Sequence, residues 1–426
     1  RNRFMRRTKI ICTMGPATDN EDVLRDLMLN GMDVARLNFS HGSHEEALER
    51  INRIKKVRDE LNIPVAILLD TKGPEVRIKD FKEGKVELKE GQKFTLCTDD
   101  VVGDENQVSI TYANLPNDVK VGSKILIDDG LIEMEVISVK NSKILCKVKN
   151  GGVVSNKKGV NVPNVALSMP YMSQKDIDDI LFGIEQDVDF IAASFVRTAN
   201  DIREIKTLLR DNGGRDIRII AKIENAEGVD NIDDIIRETH GIMVARGDMG
   251  VEIDMHDLPV LQKSLIKKTY RAGKVVITAT QMLDSMIRNP RPTRAEATDV
   301  ANAIYDGTSA IMLSGETAIG KYPVETVKTM ATIAERTEND IDYVKRLDRM
   351  NFDSRMDVTN AISHATCTTA HDLHAAAIIA LTYSGGTAMQ LSKFRPTCPI
   401  IAPTLSVKAR RQLNLSWCVI PIMSET

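Results

Sequence analysis

Along the chain, short apolar runs alternate with longer stretches in which apolar positions recur every three or four residues. The runs are KIICTM (9–14), DVARLNFSHG (33–42), PVAILLDTKG (64–73), DFIAASFV (189–196), DIRIIAKIEN (216–225), GIMVARGDMG (241–250), KVVITATQM (274–282) and SAIMLSGETA (309–318). Between them lie helical patterns. In 44–61, Ala47, Leu48, Ile51, Ile54, Val57 and Leu61 make one stripe among charges. Gly31 and Gly273 fall where a helix C-terminal turn calls for positive φ. Runs that do not alternate with polar residues predict strands buried on both faces, hence a parallel sheet. Eight strand–helix units predict a closed (β/α)8 barrel, a fold of about 250 residues.

Successive run starts are separated by 24, 31, 125, 27, 25, 33 and 35 residues. One unit takes about 31 residues, so the third gap holds roughly 94 in excess, the size of a small inserted domain. Within it the pattern shifts to period two (KVELKEG, KFTLC, KILID, IEMEV, KILCKVK), cut by turn signals at Gly91, Gly122, Asp129-Gly130 and Asn150-Gly151. The expected organisation is a barrel over 1–71 and 170–340, an all-β lid over 72–169, and a C-terminal α/β domain over 341–426. In the last, a polar segment (DIDYVKRLDRMNFDS) leads to a helical pattern at 360–372, a buried strand in AAAIIALT, and further strands in PIIAPT and WCVIPIM. Three parallel strands leave one edge unsealed, so the domain is expected to be incomplete.

Composition narrows the function classes. The 426 residues carry 57 Lys+Arg against 60 Asp+Glu, a net charge of −3, which gives no electrostatic pull toward nucleic acid or anionic lipid. A 42% hydrophobic, 27% charged chain is that of a globular protein with several cores. No apolar stretch approaches the ~18 residues of a membrane span. The six cysteines are scattered, without CxxC, and several sit in apolar runs; reduced thiols and a cytoplasmic location are expected. The basic start, RNRFMRR, has no apolar segment behind it and does not read as a secretion signal.

Barrel enzymes take their chemistry from the carboxyl ends of the strands. Those ends here are polar from the second strand onward: Arg36, Asn38, Ser40 and His41; Asp70, Thr71 and Lys72; Ser194 and Arg197; Lys222 and Glu224; Arg246, Gly247 and Asp248; Thr280 and Gln281; Ser314 and Glu316. Lys222 and Glu224 are two apart in a strand and face one way. Glu224 with Asp248 offers two carboxylates for Mg²⁺, which keeps its other positions for water and substrate. Lys222 beside them suits a transferring phosphoryl group. Asn38, Ser40, Asp70 and Thr71 are hard oxygens with one carboxylate, fit for a weakly charged cation, although such residues also cap strands in the ordinary way. The segment Gly315–Tyr322 is only superficially a P-loop, lacking the Ser/Thr that would meet Mg²⁺. His371 and His374, on one helical face without a Cys or Glu partner, are expected to be solvated rather than metal-binding.

Taken in order, TKIICTMGPAT, ARLNFSHG, LLDTKGPEVR, NKKGVNVP, AKIEN, MVARGDMGVEI, TATQMLDSM and PRPTRAEATDVANAIYDGTSAIMLSGETAIGKYP resemble the pyruvate kinase family over essentially the whole chain through residue 404. The resemblance implies transfer of the phosphoryl group of phosphoenolpyruvate to ADP, giving ATP and pyruvate in glycolysis. By motif match, Glu224 and Asp248 would hold Mg²⁺ or Mn²⁺, and Lys222, assisted by Arg36, would stabilise the moving phosphoryl group. Gly247, Asp248 and Thr280 would hold the carboxylate end, with Thr280, and behind it Ser314, on the proton route. Asn38, Ser40, Asp70 and Thr71 match the K⁺ ligands, and Glu75 matches members that require K⁺. Asn38, His41, Arg77 and Lys158 would meet the nucleotide side. The loop Thr382, Ser384, Gly385, Gly386 and Thr387 matches the site of a phosphorylated allosteric effector, and a homotetramer is implied. A metal-dependent lyase or aldolase acting on a phosphoenolpyruvate-like substrate is the alternative; it would need neither Lys158 nor the K⁺ set.

Overall fold

The structure, a computed structural model, describes residues 6–350 and 357–425. The first five residues of the basic start and 351–356 of the polar segment lie outside the described residues.

Eight parallel strands close into a barrel: β1 (Lys9–Thr13), β2 (Val34–Asn38), β3 (Ala66–Asp70), β4 (Phe190–Ala193), β5 (Arg218–Ile223), β6 (Gly241–Ala245), β7 (Val275–Ala279) and β8 (Ala310–Leu313). Each pairs with its neighbours in sequence, and β8 returns to β1 through Lys9↔Ala310 and Cys12↔Leu313. The absence of polar alternation now has its cause. Ile11, Leu68, Phe190, Ile220, Met243 and Ile277 fill the barrel interior. Their strand neighbours, Ile10, Ile67, Ile191, Ile219, Ile242 and Val276, pack outward against the helices. The helix His44–Leu61 illustrates the outer layer. The Ser43 hydroxyl accepts the Glu46 N–H, Ile51, Ile54 and Val57 face the barrel, and Asn62 ends the helix at φ +51°. Gly31 and Gly273 adopt the expected positive φ, +131° and +74°.

The chain leaves the barrel after β3 and re-enters through the helix Gln174–Glu185. Between them a seven-stranded sheet forms, ordered Val76–Arg77, Gly159–Asn161, Lys124–Ile127, Ile132–Lys140, Lys143–Val148, Lys93–Cys97, Gln107–Ser109, with a separate ribbon of Lys85–Leu88 and Gly152–Ser155. Its core, centred on Phe94, Ile125, Met134 and Ile144, is separate from the barrel's.

Within the described part of the polar segment after 340 a short helix forms. The helix Tyr343–Asp348 buries Tyr343 and Leu347. Beyond it a three-stranded parallel sheet is ordered Ile378–Ile379, Ile400–Thr404, Val419–Met423. The strand expected to be buried in AAAIIALT is reduced to two residues, and only one of its faces is covered: Ile378 and Ala380 are buried, Ile379 and Leu381 exposed. His371 and His374 do not share a helical face. The helix Val358–Asp372 ends between them and His374 turns to φ +48°, while the His371 ring meets the Thr397 hydroxyl. All six cysteines are free and buried, as expected of small apolar side chains. Among the described residues no helix is long and apolar enough to cross a membrane.

Candidate active site

The strand ends of β2, β3, β4 and β5 converge on Asp70, which is 1% exposed. In register, Arg36 lies opposite Leu68 and Asn38 opposite Asp70, so β2 delivers a cation and an amide to the tip of β3. Arg36 Nε donates to Asp70 Oδ2 at 2.6 Å and its Nη1 to Thr13 Oγ1 at 3.0 Å. From β5, Lys222 Nζ donates to Asp70 Oδ1 at 3.0 Å and to Ser194 Oγ at 2.9 Å, and lies 3.2 Å from Glu224 Oε1. Two cations and two carboxylates are thus buried together, and pairing is what makes their desolvation tolerable. Burial alone would raise the Asp70 carboxyl, but Arg36 and Lys222 outweigh it and hold the group below its ordinary range. Burial would lower the Lys222 ammonium, and Asp70 and Glu224 reverse that.

Glu224 behaves differently. Burial, reinforced by the Asp248 carboxylate and opposed by Lys222, pushes it up to about 7. Its Oε2 accepts the Phe195 N–H at 2.5 Å. That N–H is aimed by Phe195 at φ +54°, where β4 leaves the sheet. Among the described residues no group of three or more His, Cys, Asp or Glu side chains is placed to hold a metal ion. Glu224 and Asp248 form a pair that feel each other's charge. Two hard oxygens of this kind fit Mg²⁺, whose remaining positions go to water and substrate. On the other side of Lys222, Asn38 Oδ1 accepts the Ser40 N–H and Thr71 Oγ1 accepts the Ser194 N–H. With the Ser40 hydroxyl and Asp70 they are neutral or singly charged oxygens on adjacent strand ends, chemistry that fits a large monovalent cation.

At β6 and β7, Thr280 Oγ1 accepts the Gly247 N–H at 2.8 Å and donates to Ala279 O at 2.7 Å. Thr280 and Gln281 both take positive φ, +71° and +54°. For a β-branched residue this costs about 1–3 kcal/mol. Arg246 holds the turn in place, donating to Ala279 O at 3.1 Å and Thr280 O at 2.6 Å while pairing with Asp299 at 2.6 Å. At β8, buried Glu316 accepts the N–H groups of Ser314 and Leu283, which fixes the Ser314 turn; the P-loop-like segment is instead the short helix Gly315–Ala318.

A cleft of about 600 Å³ lies between the barrel mouth and the inserted sheet, lined among others by His41, Arg77, Lys158, Asp248 and Glu252. Three of the residues assigned to the nucleotide side therefore face the same space as a metal-ligand candidate. Lys158 pairs with Asp128 at 3.0 Å, and Arg77 grips Glu75 through 2.7 and 2.9 Å bonds, with Lys72 also 2.8 Å from Glu75. Asn161 of the inserted sheet donates to Glu252 Oε1 at 2.9 Å, and burial raises the Glu252 carboxyl. The loop Thr382–Thr387 is remote from the cleft. There, Thr382 Oγ1 accepts the Gly385 N–H, Gly385 takes φ +92°, and Arg218 donates to Ser384 O at 2.6 Å. Arg218 opens β5, the strand whose far end carries Lys222.

Three roles were not read from sequence: Ser194 bridging Lys222 and Asp70, the Phe195 N–H, and Arg246 as clamp. Ser194 and Arg246 were visible as strand-end polar residues, but no spacing rule assigns them a partner. Phe195 acts through its backbone and leaves no side-chain signal.

The chain matches the family profile described as "Pyruvate kinase, barrel domain" over residues 5–327 and "Pyruvate kinase, alpha/beta domain" over 360–426. It is 53% identical over 422 residues to a pyruvate kinase of Clostridium acetobutylicum, covering 99% of this chain and 89% of that protein. A pyruvate kinase of Geobacillus stearothermophilus is 54% identical over 416 residues, covering 97% of this chain and 71% of that protein. The crystal structure of a pyruvate kinase from Cryptosporidium parvum superposes with a TM-score of 0.97 at 40% identity, covering all of this chain and 88% of that one.

Proposed function

Because this chain belongs to the pyruvate kinase family, whose members are phosphotransferases, we propose that the strand ends around Asp70 and Lys222 carry its reaction, the passage of a phosphoryl group from phosphoenolpyruvate to ADP. The observation that bears most weight is the buried Arg36–Asp70–Lys222–Glu224 cluster; its Glu224 accepts the Phe195 N–H and feels the Asp248 charge, and Phe195 and Asp248 line the same cleft as Lys158 and Arg77.

In this reading an ADP phosphate oxygen attacks phosphorus, and the bond to the enolpyruvate oxygen breaks. Lys222, already oriented by Asp70 and Ser194, meets the negative charge on the phosphoryl oxygens as it redistributes, and Arg36 does so from the β2 side. The N–H groups of Gly247 and Asp248 would bind the substrate carboxylate. Thr280 Oγ1, now bonded to Gly247 N–H, would yield that donor and hold a proton path to the enolate carbon through water, with Ser314 behind it. Arg77, His41, Asn38 and Lys158 would meet the nucleotide side, and closure of the inserted module would keep water from competing as acceptor. Mg²⁺ or Mn²⁺ on Glu224 and Asp248, and K⁺ on Asn38, Ser40, Asp70 and Thr71, would supply charge neutralisation there. A phosphorylated effector at Thr382, Ser384, Gly385, Gly386 and Thr387, a homotetramer and a cytoplasmic location belong to the same proposal.

A coupled assay with ADP and phosphoenolpyruvate tests it: ATP and pyruvate are expected in equal amounts, dependent on Mg²⁺ and stimulated by K⁺. Cleavage of phosphoenolpyruvate without ATP formation would instead favour lyase-type chemistry.

A further inference from the structure

Far from the mouth, where the helix Leu258–Arg271 ends just before β7 begins, a second cleft of about 500 Å³ opens between that helix, Tyr305 and the helix Tyr343–Asp348. This is the amino-terminal face of the barrel, which in such folds carries packing rather than catalysis. Its lining is unusual in charge. Five cations surround it: Lys267 and Arg271 one turn apart on the first helix, and Lys345, Arg346 and Arg349 on or just after the second.

Among the described residues two carboxylates line the cleft with them, and both are engaged. Asp342 caps its own helix and pairs with Lys345 at 3.1 Å, and Asp340 accepts the Tyr305 hydroxyl at 2.7 Å. Arg346 is spent on Tyr305 O. Lys267, Arg271 and Arg349 have no carboxylate partner among the described residues. Arg271 Nε is, moreover, a buried donor with no acceptor, an arrangement proteins normally avoid. Helix C-termini attract cations, which accounts for Arg271 and Arg349 at the ends of their helices but not for Lys267 one turn back. A small, partly walled cleft lined by more cations than carboxylates, with the half-exposed Tyr305 ring at its side, matches an anion carrying more than one phosphoryl charge.

We propose that this cleft binds a small di- or polyphosphorylated anion, at a site separate from the barrel mouth and from the Thr382–Thr387 loop. Such a ligand would tie the barrel to the helix that leads into the C-terminal domain.

Inorganic pyrophosphate is the probe, titrated calorimetrically into the full chain without divalent metal at moderate salt. Expected is saturable binding of one pyrophosphate per chain at this site, at least tenfold tighter than inorganic phosphate. Arg271→Gln with Arg349→Gln should weaken it at least tenfold. Arg349→Gln alone, at an exposed position, should weaken it measurably in a chain whose thermal unfolding is unchanged. Lys158→Ala, in the barrel cleft, should leave it untouched. Binding that survives the Arg271 and Arg349 substitutions, binding that vanishes with Lys158→Ala, or no saturable binding at millimolar pyrophosphate would each overturn the proposal.

Discussion

At the barrel mouth, Asp70, Glu224, Lys222 and Arg36 are almost wholly withdrawn from water, and each charge has a partner of opposite sign within about one hydrogen-bond length. On the C-terminal sheet, Ile379, Leu381 and Tyr383 stand 70%, 75% and 78% exposed. Each region inverts the usual sorting of residue types, and for different reasons. The mouth keeps charge inside because geometry pairs it. The sheet keeps apolar side chains outside because no described residue covers that face. Removing one residue from the mouth therefore leaves an uncompensated neighbour, whereas removing one from the exposed face leaves nothing behind.

The sharpest test is Lys222→Ala. It should lower kcat by about 10²–10³ or more, since it deletes a transition-state charge partner. Exchange of the pyruvate methyl protons, which needs no phosphoryl transfer, should suffer less. Equal loss of both would refute the assigned role. Next comes the inner side of the same C-terminal sheet. Ile400→Ala, in a fully buried position, should cost about 2–5 kcal/mol of stability in denaturant unfolding. Glu224→Gln should raise the Mg²⁺ concentration needed for half-maximal activity about tenfold or more. The native enzyme offers a matching pH test. A carboxyl pushed up to about 7 must lose its proton to bind metal, so apparent Mg²⁺ affinity should fall as pH drops through 7 and level off above it. A flat profile between pH 6 and 8 would count against Glu224 as a ligand. Replacing K⁺ by Na⁺ should reduce activity if Glu75 marks the K⁺-requiring type. Smallest of all, Leu381→Ser on the exposed face should shift stability by less than about 0.5 kcal/mol; a loss as large as that of Ile400→Ala would mean that the face is covered after all.

The barrel was legible because each of its strands is buried on both sides and long enough to give an uninterrupted run, and because the one abnormal gap announced the insertion. Val76–Arg77, Gln107–Ser109 and Gly159–Asn161 escaped because two or three residues cannot display a period. AAAIIALT misled for the opposite reason: an unbroken apolar run from Ala375 to Leu381 hides which half of the strand faces out. At the site, Lys222 and Glu224 were readable from their spacing on one strand. The grip of Arg246 on Ala279 and Thr280 was not, since it joins residues 33 and 34 apart through backbone oxygens.

The helix Arg246–Glu252 has Gly247 and Asp248 in its first turn and Glu252 at its last residue, about 10 Å of rise in all. Its far end is where Asn161 bonds, and Val251 lies against Gly130 of the inserted sheet. A strut this short is stiff, and it cannot tilt at one end alone. If the inserted module closes as proposed, its contacts at Glu252 and Val251 would carry that movement to Asp248 through seven residues.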